Sequence, residues 1–377
     1  MIVVKVLFWG SLAALVWTHV AYPAFVALGA RVRSRGVDTA DRTPTVTVIV
    51  AAHNEDTVIE RRIANLRALD YPADKLEIVV TSDASTDATD ELAEAAGARV
   101  VRNPRGGKVA AQDRAVRETE SELVAFSDAN ATWDRYALRR LVRPFADPAV
   151  AYVCGRLRIQ RADGSNKEGV YWRYELAQRA AESRLGSITG GNGSIYAVRR
   201  SDYVEVDPKW GHDLSFPYRM VQAGRRAVYE PAARAFEKPT PTNETEYRRK
   251  VRMFEHCWEI ALRGSMLKRL PPGYLAAVIS HRVLRYGSGV LHVVLLAASV
   301  TLVGEGRLYQ AALAGQLLLL AAAALGVGLA RYYALVTWAT LVALWNYLRR
   351  GVPATWTPPR DERESDEGDA TRLADIQ

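Results

Sequence analysis

Three strand-like apolar runs in this 377-residue sequence each end in acidic or amide side chains. Thr45–Ala52 (TVTVIVAA) leads into His53, Asn54 and Glu55; Leu76–Thr81 (LEIVVT) leads into Ser82 and Asp83; Leu123–Ser127 (LVAFS) leads into Asp128, Ala129 and Asn130. Any one of these is an ordinary turn former, because Asn and Asp side chains bond to their own backbone. Three arriving at the ends of separate strands form a pattern that single turns do not explain. The opposite charge is concentrated elsewhere: Arg225 to Arg285 holds 13 basic and 6 acidic residues, a surplus of seven against a whole-chain excess of +8. Such a strip suits membrane topology, anionic headgroups or a polyphosphate. Nucleic acid fits poorly, since no stacking-rich or zinc-type module accompanies the charge.

Distant strand ends need a frame that brings them together. Val58, Ile63, Leu66 and Leu69 recur at helical spacing over residues 57–69, and Tyr71-Pro72 ends that helix. Ser82 to Asp87 has turn and N-cap chemistry before a helix over 87–96. Ala98–Val101 reads as a short third strand, Lys108–Glu118 as a helix and Leu123–Ser127 as a fourth strand. Strands alternating with helices predict an α/β fold with a mostly parallel central sheet covered on both faces. In such sheets ligands bind beyond the carboxyl ends of the strands, so Asn54, Glu55, Asp83, Asp128 and Asn130 share one edge. Further on, an amphipathic helix is expected over 166–184, a flexible turn at Thr189–Gly193 and a strand at Ser194–Val198. Two more helices follow, over 214–223 and over 244–263, the last bearing Arg248, Arg249, Lys250 and Arg252.

Residues 6–30, 286–304, 308–330 and 332–348 contain no Asp, Glu, Lys or Arg. About 20 apolar residues cross a bilayer, so these blocks argue against a purely soluble enzyme. Block 6–30 exceeds the ~7–15-residue core of a signal peptide and is followed by Arg31, Arg33 and Arg35. An uncleaved anchor is expected, with the next stretch in the cytoplasm. By the same rule Arg282 and Arg285 begin an outward crossing at 286–304, and 308–330 returns. Arg349 and Arg350 leave 332–348 open between a further crossing and a re-entrant or interfacial segment. Residues 360–377 hold seven acids and three arginines, which predicts a disordered tail over 351–377. Cys154 and Cys257 match no metal spacing and read as buried thiols.

With this layout the chain resembles a membrane-anchored family-2 glycosyltransferase with a GT-A nucleotide-sugar-binding domain. The likeness is to the bacterial group related to poly-N-acetylglucosamine, hyaluronan and cellulose synthases, and it covers about residues 45–262. It implies that Ala52-His53-Asn54-Glu55 meets the nucleotide, with Ala52 and Asn54 beside a Glu55 carboxylate directed at base or ribose. Asp83, in Asp83-Ala84-Ser85-Thr86-Asp87, is implied to face the nucleoside. Gly106-Gly107-Lys108 corresponds to a Gly-Lys step, where glycines permit close backbone approach and a compact ammonium pairs with phosphate or base oxygen. The usual continuation is replaced by Ala111-Gln112-Asp113. The Asp-x-Asp metal motif reads Asp128-Ala129-Asn130, one charge fewer, and implies Mg²⁺ or Mn²⁺ held by Asp128 and Asn130 with a diphosphate.

The resemblance assigns the catalytic base to Asp213 in Gly211-His212-Asp213; its bland alternative is an acid at a helix start. The processive signature Gln-x-x-Arg-Trp falls on Arg249-Lys250-Val251-Arg252-Met253, where only Arg252 matches. Arg249 and Arg252 are three apart, share a helix face and are implied for the diphosphate. Gly190-Gly191-Asn192 resembles the segment before the acceptor site, with Asn192 either an acceptor contact or part of a plain turn.

The implied activity is inverting transfer from a nucleotide-diphosphate sugar, UDP-linked, to a lipid-linked or polysaccharide acceptor at the cytoplasmic face of a membrane whose lipids the chain contacts. A non-catalytic nucleotide-sugar-binding scaffold and a processive synthase with an export path stay open beside it. The expected organisation is an anchor over 1–30, a basic linker over 31–44, the GT-A domain over 45–265, an interfacial segment over 266–285, two or three spans over 286–350 and the tail.

Overall fold

The computed structural model describes residues 1–159, 169–239 and 242–355, and the chain forms two compact units. The first comprises Arg33–Pro241, Lys268–Leu270 and the segment from Pro353. It contains one sheet of strands β1 (Val46–Ala52), β2 (Leu76–Asp83), β3 (Arg99–Asn103), β4 (Leu123–Asp128), β5 (Thr132–Trp133), β6 (Val150–Ile159), β7 (Tyr196–Arg199) and β8 (Arg226–Glu237). Their spatial order is β3-β2-β1-β4-β7-β6-β8-β5. β1 is apolar on both sides because both faces are covered. Val46, Val48 and Val50 pack into one core with Ile59, Ile63 and Leu66; Ile49 faces the opposite core with Val79, Phe126 and Phe216.

The parallel half is as expected: β1 pairs in parallel with β2 and β4, and β2 with β3. The other half corrects the expectation of a mostly parallel sheet. β7 runs antiparallel to β4 and β6, β5 runs antiparallel to β8, and only β6 and β8 pair in parallel there. β6 and β8 escape pattern reading because each interrupts its apolar run. Gly155 and Arg156 break β6, and Pro231 breaks β8. The register jumps at that point, from Gly155↔Glu230 to Arg156↔Arg234, so Pro231 falls in a stretch without β6 partners, as a residue lacking an N–H requires.

The expected linker is partly docked on this unit. Arg35 N–H donates to the Arg184 carbonyl at 2.6 Å, and Arg226 donates to the carbonyls of Arg35 and Gly36. At the other end, Ala354 and Thr355 lie against Gly107. The remainder of the expected tail, 356–377, and residues 166–168 of the expected helix lie outside the described residues; the described helix is Val170–Leu185.

The second unit comprises Met1–Val32, Thr242–Leu267 and Pro271–Val352. The helix Asn243–Arg263 therefore groups with the apolar helices rather than with the sheet, and the division falls at 241/242 instead of 265. Ile2–Val32 and Arg307–Ala324 are long and apolar enough to cross a membrane, and Pro272–Tyr286 with Ser288–Thr301, bent by 66°, is a third span if the pair is one. Phe8 and Leu15 pack on Leu295, Ala298 and Leu302. Gly328–Arg350 lies along Asn243–Arg263, where buried Glu255 accepts from Asn346 at 2.7 Å and from Arg350 at 3.2 Å.

Candidate active site

The loops after β1 and β2 interlock. Asn54 sits at φ 60°, a left-handed conformation that Asn tolerates. Its amide oxygen accepts from Thr86 N–H at 2.8 Å, and its own N–H donates to Ser85 Oγ. Glu55 N–H donates to Thr89 Oγ1 at 2.7 Å, which fixes the Glu55 backbone beside the β2 turn. Ala52 is buried at the end of β1. Asp83, also buried, accepts from the N–H groups of Gly106 (2.7 Å) and Gly107 (3.0 Å) and pairs with Arg105. These bonds shape the loop that opens the helix Lys108–Arg117. Gly107 needs to be glycine on two counts: φ is +92°, and a Cβ there would meet the Ala354 carbonyl oxygen at 2.2 Å.

Lys108 reaches from that helix start to the end of β4 and forms an ion pair with Asp128. The surrounding protein disfavours its ammonium, but the charges of Asp128, Asp213 and Glu237 outweigh this and hold its pKa above the ordinary value. The side chain keeps 43% of its surface exposed, so the ammonium is accessible to a ligand. Asp128 Oδ2 lies 3.4 Å from Ser194 Oγ, which also donates to Glu237 at the end of β8. Behind this cluster, buried Arg62 donates to Ser127 Oγ at 2.7 Å and lies 5.0 Å over the Trp133 ring. Burial pulls the Arg62 guanidinium down to about 9, with the Asp128 charge opposing. Trp133 Nε1–H donates to the Ser194 carbonyl at 2.9 Å. Asn130 is exposed on the turn after β4.

Asp213 occupies the first turn of the helix His212–Gln222. Its carbonyl accepts from Gly191 N–H at 2.6 Å, and the Gly191 carbonyl accepts from Arg179 at 3.0 Å. The residue before it is locked in a buried polar network. His212 Nδ1 lies 2.9 Å from the Tyr196 hydroxyl and its ring stacks on Phe216 at 4.1 Å. Tyr203 donates to Asp113 at 2.5 Å, and Asp113 lies 3.7 Å from His212 Nε2. Burial lowers the His212 pKa, with Asp113 pulling it back up. The helix Lys108–Arg117 thus carries Lys108 toward the strand-end acids and Asp113 toward His212.

Asn192 belongs to the turn. Its amide donates to the Gly155 carbonyl at 2.7 Å and to Cys154 Sγ, and its oxygen accepts from the N–H groups of Ser194 and Ile195. At 7% exposure and with these bonds made, the side chain is tied to the turn. Arg249 and Arg252 lie in the helical unit, where Arg249 pairs with Glu246 of its own helix at 2.9 Å. Among the described residues, no three His, Cys, Asp or Glu side chains form a preformed metal cage.

Sequence reasoning missed Arg62, Ser194, Glu237 and the Asp113–Tyr203–His212 network. Glu237 follows the strand-end rule used for Asp83 and Asp128 and was hidden by the interruption at Pro231. Arg62, in Glu60-Arg61-Arg62, looks like a surface charge run; nothing local marks it as buried.

Residues 47–206 match the family described as glycosyl transferase family 2. This stretch, with the sheet and acidic edge above, is a family-2 glycosyltransferase domain of GT-A-like α/β fold. β-Monoglucosyldiacylglycerol synthase of Synechocystis sp. (strain ATCC 27184 / PCC 6803 / Kazusa) is 32% identical over 163 residues, 40% of this chain and 33% of that protein. Probable glycosyltransferase YdaM of Bacillus subtilis (strain 168) is 26% identical over 276 residues, 65% of this chain and 64% of that one. The chain therefore spans between a third and two thirds of these relatives. The mannosyltransferase PcManGT from Pyrobaculum calidifontis, solved in complex with GDP-Man and Mn²⁺, superposes with a TM-score of 0.70 at 24% identity, covering 91% of this chain and 99% of that one. That likeness shows the fold.

Proposed function

We propose that this protein is an inverting glycosyltransferase that moves a sugar from a nucleotide-diphosphate donor, UDP-linked, to a lipid or polysaccharide acceptor at a membrane. The observation that supports this most is the placement of Lys108: its ammonium pairs with Asp128 and lies in the field of Asp213 and Glu237. That placement supports a site in which a cation serves the phosphate and a carboxylate takes the proton. The acceptor hydroxyl attacks the anomeric carbon, the new oxygen–carbon bond forms and the bond to the diphosphate breaks. Asp213 takes the hydroxyl proton. Lys108 stabilises the charge that grows on the departing diphosphate.

Asp128 and Asn130 offer oxygen donors acceptable to Mg²⁺ or Mn²⁺, and the pairing of Asp128 with an ammonium supports a cation preference at that carboxylate. When bound, the metal would supply further charge neutralisation on the diphosphate. Asn54, Glu55 and Asp83 would shape the nucleoside pocket. A lipid acceptor is favoured by the helices long enough to span a bilayer and by the glycolipid named in the Synechocystis relative. The basic strip beside those helices suits the cytoplasmic face and anionic lipid.

The test is a panel of nucleotide sugars with Mn²⁺ and membrane extract, reading released nucleoside diphosphate and product mass. Turnover is expected with a UDP-sugar. Asp213→Asn should lower turnover about 10²–10⁴-fold while leaving donor binding within error. Donor binding without release in the parent protein would establish the scaffold reading instead.

A further inference from the structure

The metal motif after β4 carries one carboxylate, Asp128, and one amide, Asn130. An amide oxygen can ligate a hard cation but brings no charge. A second carboxylate reaches the same place from the far side of the sheet. β8 ends at Glu237, and Ser194 joins it to Asp128: one hydroxyl donates to Glu237 Oε1 and lies 3.4 Å from Asp128 Oδ2. Ser194 is itself fixed, because its carbonyl accepts from Trp133 Nε1–H and its N–H donates to Asn192. One hydroxyl is therefore within hydrogen-bond reach of both acids. Asp128 also pairs with the Lys108 ammonium. Two carboxylates bridged by one hydroxyl, with the Asn130 amide on the turn after β4, are oxygen donors of the kind that a hard divalent cation takes.

We propose that Glu237 is the second carboxylate of the divalent-cation site, working with Asp128 in place of the acid absent at position 130. Lys108 then counterbalances these acids in the metal-free protein and turns to phosphate when a metal arrives with its diphosphate. Ser194 is the positioning residue that keeps the two carboxylates in reach of each other. This inference rests on the glycosyltransferase reading for its diphosphate, yet its test needs no turnover.

The experiment titrates the full-length protein in detergent with Mn²⁺, alone and with UDP, following free Mn²⁺ by its electron paramagnetic resonance signal. Glu237→Gln should weaken Mn²⁺ binding about 10–100-fold. Adding Asn130→Asp to that variant should recover most of the loss. Glu237→Asp should retain affinity within about threefold, since it keeps the carboxylate, and thermal melts confirm that each variant is folded. Unchanged Mn²⁺ affinity in Glu237→Gln overturns the proposal. So does a Glu237→Asp variant as weak as Glu237→Gln, or an Asn130→Asp effect equal in both backgrounds, which would show the two positions uncoupled. Turnover of a UDP-sugar alongside unchanged Mn²⁺ affinity would sink this inference and leave the function standing. Weakened Mn²⁺ binding in a protein that turns over no nucleotide sugar would support the site and sink the function.

Discussion

On the donor side of the sheet β1, β2 and β4 run parallel, and each leaves its polar residues where it ends. On the base side, Asp213 arrives from a helix start and Glu237 from a strand whose pairing is interrupted at Pro231. The donor side is held mainly by backbone N–H groups and short turns around Asp83 and Asn54. The base side is held by buried side chains packed around His212. A strand end fixes a residue through its own ladder, whereas a residue at the start of a helix depends on what packs beneath that helix. In the proposed function the first arrangement would hold the donor and the second would aim a single carboxylate.

If this contrast is right, variants on the two sides fail differently. Lys108→Ala should raise the donor KM and lower kcat/KM about 100-fold, while Asp213→Asn lowers kcat alone; steady-state kinetics with varied donor separate them. A Lys108→Ala variant with normal donor KM would break the contrast. Gly107→Ala forces a Cβ onto a residue at φ +92° beside Ala354 and should cost about 1–3 kcal/mol, with donor affinity falling as the Asp83 loop shifts. Thermal melts and nucleotide titration read both effects. An unaffected Gly107→Ala variant would mean that Ala354 and Thr355 give way freely.

The base side is where pH sharpens the comparison. Burial holds His212 below its ordinary value of 6.5, so the unfolded imidazole binds a proton at higher pH than the folded one. The stability it contributes is fully present above about 6.5 and is lost as pH falls from there toward the folded value. Asp113, Tyr196, Tyr203, Lys108 and Asp213 all bear on this ring. His212→Asn should flatten the fall in Tm between pH 7.5 and 5.5, and Tyr203→Phe should destabilise by about 1 kcal/mol without flattening it. An equal slope in parent and His212→Asn would place the acid sensitivity elsewhere.

The donor half of the fold was legible because local pattern and topology agree there. Val46–Ala52, Leu76–Asp83 and Leu123–Asp128 are short apolar runs with turn chemistry at their ends, and parallel βαβ order puts those ends on one edge. The base half was not, because its pairings are non-local and its strands are broken. Gly155, Arg156 and Pro231 read as interruptions until the β6–β8 register shows where they fall. Asp213 was reachable through family resemblance, but Glu237 needed the strand that positions it. Asn192 reads from the sequence as either an acceptor contact or part of a plain turn, and its bonds to Gly155, Ser194 and Ile195 tie its side chain to the turn.

The central claim is that Lys108, Asp128 and Asp213 serve one bound donor, and the most direct check is an experimental structure of the full chain with Mn²⁺ and an unhydrolysable UDP-sugar. The account predicts the diphosphate against Lys108 and Asp128, with the anomeric carbon open toward Asp213 on the face opposite the leaving group. A donor seated away from these residues, or with its sugar turned from Asp213, would contradict it.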